Sequence, residues 1–330
     1  MDNLTHSFAG AVLGQMGLKK KTGLGMATLI IAANIPDIDA VATLLGGVQH
    51  LAIRRGITHG PIAMLVLPLL LTGMMIWFDR WQGKRGKRPA ERLPIHKGWL
   101  LALAYIGCLS HPALDWLNSY GIRLLEPFSS QWFYGDSIFI IDIWIWAALI
   151  AGVWVSRRRE KKGTGNRSRP AWISFAAVCA YIFANGLITG KAEADTRRFV
   201  EQEYGIEPTL VVANPIPIIF WRREMLWQTR ALFGARDYDV FSDRQSAQFT
   251  IGDQIFFGGL RDSREMKDPA VLRAIDRNQD LKYFLFWSRM PMARVTKDGL
   301  KTHVYVGDAR FLSDLASPRF SVETTLESAK

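Results

Sequence analysis

Apolar stretches at residues 23–36, 61–78, 98–109 and 138–155, with a fifth at 171–190, confine the first part of this 330-residue chain to segments that can enter a bilayer. Hydrocarbon offers no water to satisfy the backbone, so such segments must bond internally as helices or close into a barrel. The stretches 61–78 and 138–155 approach the roughly 18 to 20 residues that a spanning helix needs, and the others are shorter or interrupted. Residues 4–18 read as a further, retained helix: no charged leader precedes them, no small-residue cleavage site follows, and their lysines come after the apolar part. Beyond Lys191 no such stretch recurs. The expected class is mainly α, a polytopic transmembrane bundle of about five apolar helices, some short, over residues 1–190, followed by a small extramembrane α+β domain over residues 191–330.

The net charge of +11 resides almost wholly in the apolar part, which holds 20 Lys and Arg against 10 Asp and Glu up to residue 190; beyond it the numbers are 21 and 20. The excess falls in three runs: residues 19–21, seven cations from Arg80 to Lys97, and seven from Arg157 to Arg169. Short basic loops between apolar helices follow the positive-inside rule, so no nucleic-acid partner is expected and the bilayer itself is the partner. Cys108 and Cys179 both lie in apolar stretches, which leaves neither a disulfide framework nor a cysteine zinc site, and any metal must use nitrogen and oxygen ligands.

Placing the three runs in the cytoplasm brings the ionisable residues of the apolar part to one face. His6 then starts outside. The stretch from Gly23 ends outside at Asp37 and Asp39, because Pro36 disfavours helix in the residue before it. His59 stands at the outer start of the next helix, and His111 and Asp115 occupy the outer end of the one after. The helix at 171–190 rises again and leaves the C-terminal domain extracytoplasmic.

Ionisable groups in such places are costly without a partner or a metal. His111 and Asp115 are four apart and share one helix face. Three histidines and three carboxylates, His6, Asp37, Asp39, His59, His111 and Asp115, suit one or two divalent ions, zinc first and manganese second. A carboxylate not used as a ligand, Asp39 or Asp37, would serve as general base for a metal-activated water. Each motif also has a plainer reading: His111 bonded to its own turn's carboxylate, Asp37 or Asp39 as a helix cap, His59 as a solvated loop imidazole, His6 in an N-terminal cap. Arg54 and Arg55 lie outside against the positive-inside bias; they suit a phosphorylated substrate, or else a headgroup contact or an ion pair with Glu126 or Asp136. Asp142, inside the stretch 138–155, would orient a ligand histidine from behind. His50, His96 and His303 carry no comparable constellation, the last in an exposed strand.

The ordered motifs Leu4-Thr5-His6-Ser7, Ile35-Pro36-Asp37-Ile38-Asp39, Arg54-Arg55-Gly56-Ile57-Thr58-His59-Gly60 and Ser110-His111-Pro112-Ala113-Leu114-Asp115, then Tyr134-Gly135-Asp136-Ser137 and Ile140-Ile141-Asp142, resemble the YdjM-type family of bacterial inner-membrane proteins regarded as metal-dependent hydrolases. The resemblance covers roughly residues 1–160. It implies metal ligation by the six residues above, a bacterial inner-membrane location, and a distant likeness to zinc-dependent phospholipase C and single-strand nucleases. Gly60 stands where such proteins often carry serine.

In the C-terminal part, residues 210–213, 216–221, 248–257 and 302–306 read as strands, and 269–276 and the stretch around Leu281 as helix. The leading expectation is a multi-pass membrane hydrolase acting at the outer face on a phosphoester, with a lipid among the candidate substrates; the sequence leaves its oligomeric state open. Its rivals are an ion-binding, transporter-like protein, for which no internal repeat is evident, and a non-catalytic membrane scaffold whose C-terminal domain binds a partner.

Overall fold

The structure, a computed structural model, describes residues 1–229, 232–242, 248–251, 254–257, 261–262, 266–311 and 319–327. The chain forms two compact units, Met1–Asp39 with Arg55–Gly186, and Ala40–Arg54 with Leu187–Lys330. The inclusion of Ala40–Arg54 in the second unit was not foreseen from the sequence, where nothing in its composition separates it from its neighbours.

The first unit is helical. Asp2 caps α1 (Asn3–Gln15), accepting from the amides of Leu4 and Thr5 at 2.9 and 3.1 Å. The helix stops at Gly17, whose φ of 118° is closed to other residues, and a 3-10 turn at Leu18–Lys20 leads into α2 (Gly25–Ala32). A 3-10 segment, Ile35–Leu45, follows, and then α3 (Gln49–Ile53) and a second 3-10 turn, Ile57–His59. Proline at the first helical position opens α4 (Pro61–Lys84), and His96 caps α5 (Lys97–Trp116), accepting from the Trp99 amide at 3.1 Å. Asp142 caps α6 (Ile143–Lys162), and α7 (Arg169–Tyr204) runs on from the first unit into the second. The expected helix at 138–155 therefore starts five residues later, because Asp142 accepts from the Trp144 and Ile145 amides and ends the extended approach.

Helix α2 is the axis of this unit. A Cβ at Gly10 of α1 would lie 2.7 Å from the Leu29 carbonyl oxygen, and one at Gly107 of α5 would lie 2.8 Å from the same atom. Both helices therefore meet α2 at backbone contact. At one end Lys19 pairs with Glu160, and the His96 amide donates to Thr22 at 2.9 Å, which gathers the three basic runs. The starts of α1 and α4 and the ends of α2 and α5 stand at the other end.

Among the described residues, α4 and α7 are long and apolar enough to cross a membrane, and a third span arises if Gly25–Ala32 and Ile35–Leu45, bent by 43°, count as one. The count is thus two or three against the expected five. At 13 residues, α1 rises only about 20 Å, short of the roughly 30 Å of hydrocarbon. Helix α4 turns Leu65, Leu70, Met74 and Trp77 outward, each more than half exposed, as a lipid-facing stripe does.

The second unit is built from antiparallel sheets and helices. Strands β1 (Leu210–Pro215), β2 (Arg222–Gln228), β3 (Leu232–Asp239) and β6 (Arg261–Asp262) form one sheet in that order. Alternation divides its core: Val211, Ala213, Met225 and Trp227 join Ala192 and Val200 of α7, while Val212 and Leu226 face Met290 and Ala309. Strands β4 (Gln248–Ile251) and β5 (Gln254–Phe257) pair as two short strands where one run was expected; residues 252–253 between them lie outside the described residues. Helices α8 (Pro269–Arg277) and α9 (Gln279–Trp287) precede a meander of β7 (Pro291–Asp298), β8 (Lys301–Asp308) and β9 (Ser321–Glu327). Within this unit α3 packs on α9. The expected strand at 216–221 is instead a turn, because Pro217 has no amide to offer a ladder and Ile218 adopts a left-handed φ of 70°.

Asp308 ties this unit together. Fully buried, it accepts from the Ser288 hydroxyl at 2.6 Å, the Arg289 and Arg310 amides at 2.8 and 3.0 Å, and the Arg310 guanidinium at 2.8 and 2.9 Å. Burial pushes its carboxyl up, but Arg310 and these donors outweigh burial and bring it down to about 2. Its stabilising contribution is complete above the ordinary carboxylate pKa of about 4 and fades as pH falls through about 2. Thermal melting of the protein across that window should show the loss, and Asp308→Asn should flatten it; a variant melting with the same acid dependence would contradict this assignment.

Candidate metal centre

Asp37, His59, His111 and Asp115 are all buried, and one ligand atom from each lies within 4.8 Å of the other three. His111 Nε2 is 3.7 Å from Asp37 Oδ1 and 3.5 Å from Asp115 Oδ2. His59 Nε2 is 4.0 and 3.7 Å from the same two oxygens. The local folds explain the meeting. Three residues of a 3-10 turn carry His59 to the start of α4, the turn after α2 carries Asp37, and helical spacing puts His111 and Asp115 on one face of α5.

Both histidines are held with a lone pair facing the group. His111 Nδ1 lies 2.6 Å from the Ala33 carbonyl, which can only accept, so Nδ1 donates there and Nε2 is the ring nitrogen turned to the group. The Thr58 hydroxyl donates to Asp39 Oδ2 at 2.8 Å and lies 2.9 Å from His59 Nδ1; having given its proton to Asp39, it accepts from the imidazole. Neither Nε2 has a hydrogen-bond partner, although both are fully buried. Burial also holds the His59 imidazole well below its ordinary range and keeps it neutral. Two imidazoles and two carboxylates are a nitrogen and oxygen donor set suited to a divalent ion. Donor atoms that all lie within 4.8 Å of one another can converge on a single ion, and mixed imidazole and carboxylate ligation is usual for zinc. The residues fit the group.

The other sequence candidates occupy different places. Asp39 stands behind His59, accepting from the Arg55 amide at 2.7 Å as well as from Thr58. His6 stacks on His111 with ring centroids 3.7 Å apart, and its Nε2 lies 3.2 Å from Asp115 Oδ1, which the Met1 amino group also contacts. Asp142 caps α6 and accepts from the Tyr181 hydroxyl at 2.9 Å; no histidine is among these partners. Arg54 is half-buried and belongs to the second unit.

Arg55 is buried and pairs with Asp115. Its Nε and Nη2 reach the two oxygens of Asp115 at 2.9 and 3.2 Å, Nη1 donates to Asn118 at 2.9 Å, and the guanidinium lies 4.7 Å from the Tyr120 ring centre. Glu126 pairs with Arg123 at 2.7 Å. The segment after α5 is drawn together by mutual backbone bonds of Ile122 and Phe133 at 3.0 and 2.8 Å. Gly60 has a steric cause: a Cβ there would lie 1.9 Å from the Glu126 carbonyl oxygen, which excludes serine at this position.

Two residues that sequence reading did not single out by role are Thr58 and Asn118. The Thr-His pair was visible, but the bridging of its hydroxyl to Asp39 depends on the turn. Thr58→Val should weaken binding of a divalent ion about 10- to 100-fold, as loss of an outer partner of a ligand histidine does, with Thr58→Ser close to wild type. Titration of the metal-stripped protein measures it; equal affinity in Thr58→Val would remove the hydroxyl from the site.

A family model described as YdjM inner membrane protein matches residues 1–192. No curated protein and no solved structure matches the chain.

Proposed function

The chain belongs to the YdjM inner membrane protein family, and from that premise we propose that it is a membrane-embedded, metal-dependent hydrolase whose ion is held by Asp37, His59, His111 and Asp115. The observation that carries this reading is the pair of buried Nε2 atoms, without hydrogen-bond partners, aimed with two carboxylates at one point. A divalent ion, zinc before manganese, supplies Lewis acidity there and lowers the pKa of water toward about 7.

The residues around it divide the remaining work. Arg55 and His6 fix Asp115, and Asp39 with Thr58 fixes the tautomer of His59. Asp115 is paired with a guanidinium and is the poorer base, so we assign the proton from water to Oδ2 of Asp37, its Oδ1 being the oxygen turned to the two ligand histidines. The substrate class is a phosphoester, in a lipid or a soluble molecule. Water oxygen bonds to phosphorus, its proton passes by way of Asp37 to the departing ester oxygen, and an alcohol leaves. The gathering of the basic runs at the opposite end supports an outer position for the site.

The test is hydrolysis of bis-p-nitrophenyl phosphate and of phospholipid vesicles by zinc- or manganese-loaded protein, with Asp37→Asn as the inactive control. Activity lost in that variant is the expected result. Metal-loaded protein that cleaves no phosphomonoester, phosphodiester or phospholipid would overturn the phosphoesterase reading.

A further inference from the structure

One face of α6 changes character along its length. Ile150, Val153 and Trp154 recur at helical spacing, and the same face continues as Arg157, Arg158, Lys161 and Lys162. Phe8 of α1 forms the side wall of a groove of about 610 Å³ over this stripe. From Ile150 to Lys162 the stripe rises about 18 Å, of which about 10 Å precedes the first arginine, at 1.5 Å per residue. Half of a 30 Å hydrocarbon core is about 15 Å, so the apolar part is short enough to fit within one leaflet, with the cations following at its edge.

The charge in this groove has no counterpart within it. Among the described residues that line it none is acidic, and the nearby Glu160 is paired with Lys19. Arg157, Arg158, Lys161 and Lys162 are exposed, and Arg158 lies 5.4 Å from the Trp154 ring centre, at the junction of the apolar and cationic parts. The negative end of the helix dipole accommodates cations but amounts to only about half a charge. A ligand that matches the whole stripe has an apolar chain one leaflet deep and a net negative head.

We propose that the groove between α1 and α6 binds an anionic phospholipid, its acyl chain along Phe8, Val153 and Trp154 and its phosphate against the four cations. A zwitterionic lipid brings its own cation to the cluster and is disfavoured. A soluble anion leaves the apolar wall unused. The groove lies at the basic end of the unit, so the proposal stands independently of the metal centre.

The experiment uses the full chain in nanodiscs of phosphatidylcholine with increasing phosphatidylglycerol, with native mass spectrometry to count retained lipids. The expected result is retention of phosphatidylglycerol over phosphatidylcholine by about tenfold or more, as several surface cations confer. In R157Q/R158Q/K161Q/K162Q that preference should fall to near unity with divalent-metal content unchanged. If the quadruple variant fails to assemble, K161Q/K162Q, at two exposed positions, should lower the preference in the same direction. Equal retention of the two lipids by wild type, unchanged preference in both variants, or displacement of phosphatidylglycerol by glycerol phosphate at equal concentration would each overturn the proposal.

Discussion

Replacing His111 with alanine should lower the affinity of the purified protein for zinc by at least about 100-fold, beyond the roughly 10- to 100-fold typical of losing an outer partner. The side chain meets two demands at once. Its Nε2 faces Asp37 and Asp115, and its Nδ1 is anchored to the Ala33 carbonyl, so neither a water nor a neighbouring residue inherits both contacts. Alanine also removes the ring on which His6 stacks, and His6 then loses part of what holds it beside Asp115. Elemental analysis after dialysis against dilute chelator measures the effect, and His59→Ala should behave alike. Full metal occupancy in both variants would place the ion elsewhere in the chain.

Arg55→Met is expected to lower folding stability by about 3 to 5 kcal/mol, the usual cost of stripping one partner from a buried ion pair. Methionine keeps much of the stem but leaves the Asp115 carboxylate without its two-point contact and Asn118 and the Gly121 carbonyl without the guanidinium donor. Arg55→Lys should fall between, since an ammonium keeps the charge but not the fork. A divalent ion placed among the carboxylates supplies positive charge of its own, so zinc should raise the melting temperature of Arg55→Met more than that of wild type. Thermal denaturation with and without metal distinguishes the outcomes. An unchanged melting temperature in metal-free Arg55→Met would show that the pair contributes nothing.

The sequence made the ligand types legible and left their arrangement obscure. His111 and Asp115 share a helix face by spacing alone, and His59 before Pro61 is placed at a helix start by the proline. Asp37 and Asp39 are a harder case. Two residues apart in a 3-10 segment they point in different directions, and no periodicity tells which one turns to the histidines. Arg55 was legible as a cation on the wrong side of the charge pattern, yet its burial follows from the fold of the segment after α5, which supplies Asn118 and Tyr120. In the second unit alternation located β1 and β8, whereas apolar content alone misread residues 216–221, where the prolines should have carried more weight.

The bond between the Asp39 carboxylate and the Arg55 amide closes the neck of the excursion Ala40–Arg54. A chain pinned at its neck behaves as a ring, and enlarging a ring is inexpensive: each doubling of its length costs only about 0.6 kcal/mol of closure entropy. The length of the excursion is thereby uncoupled from the position of His59. Natural or engineered insertions at its exposed Thr43 to Gly47 tip should leave the imidazole where it is, while a change at the neck itself shifts Thr58 and His59 together.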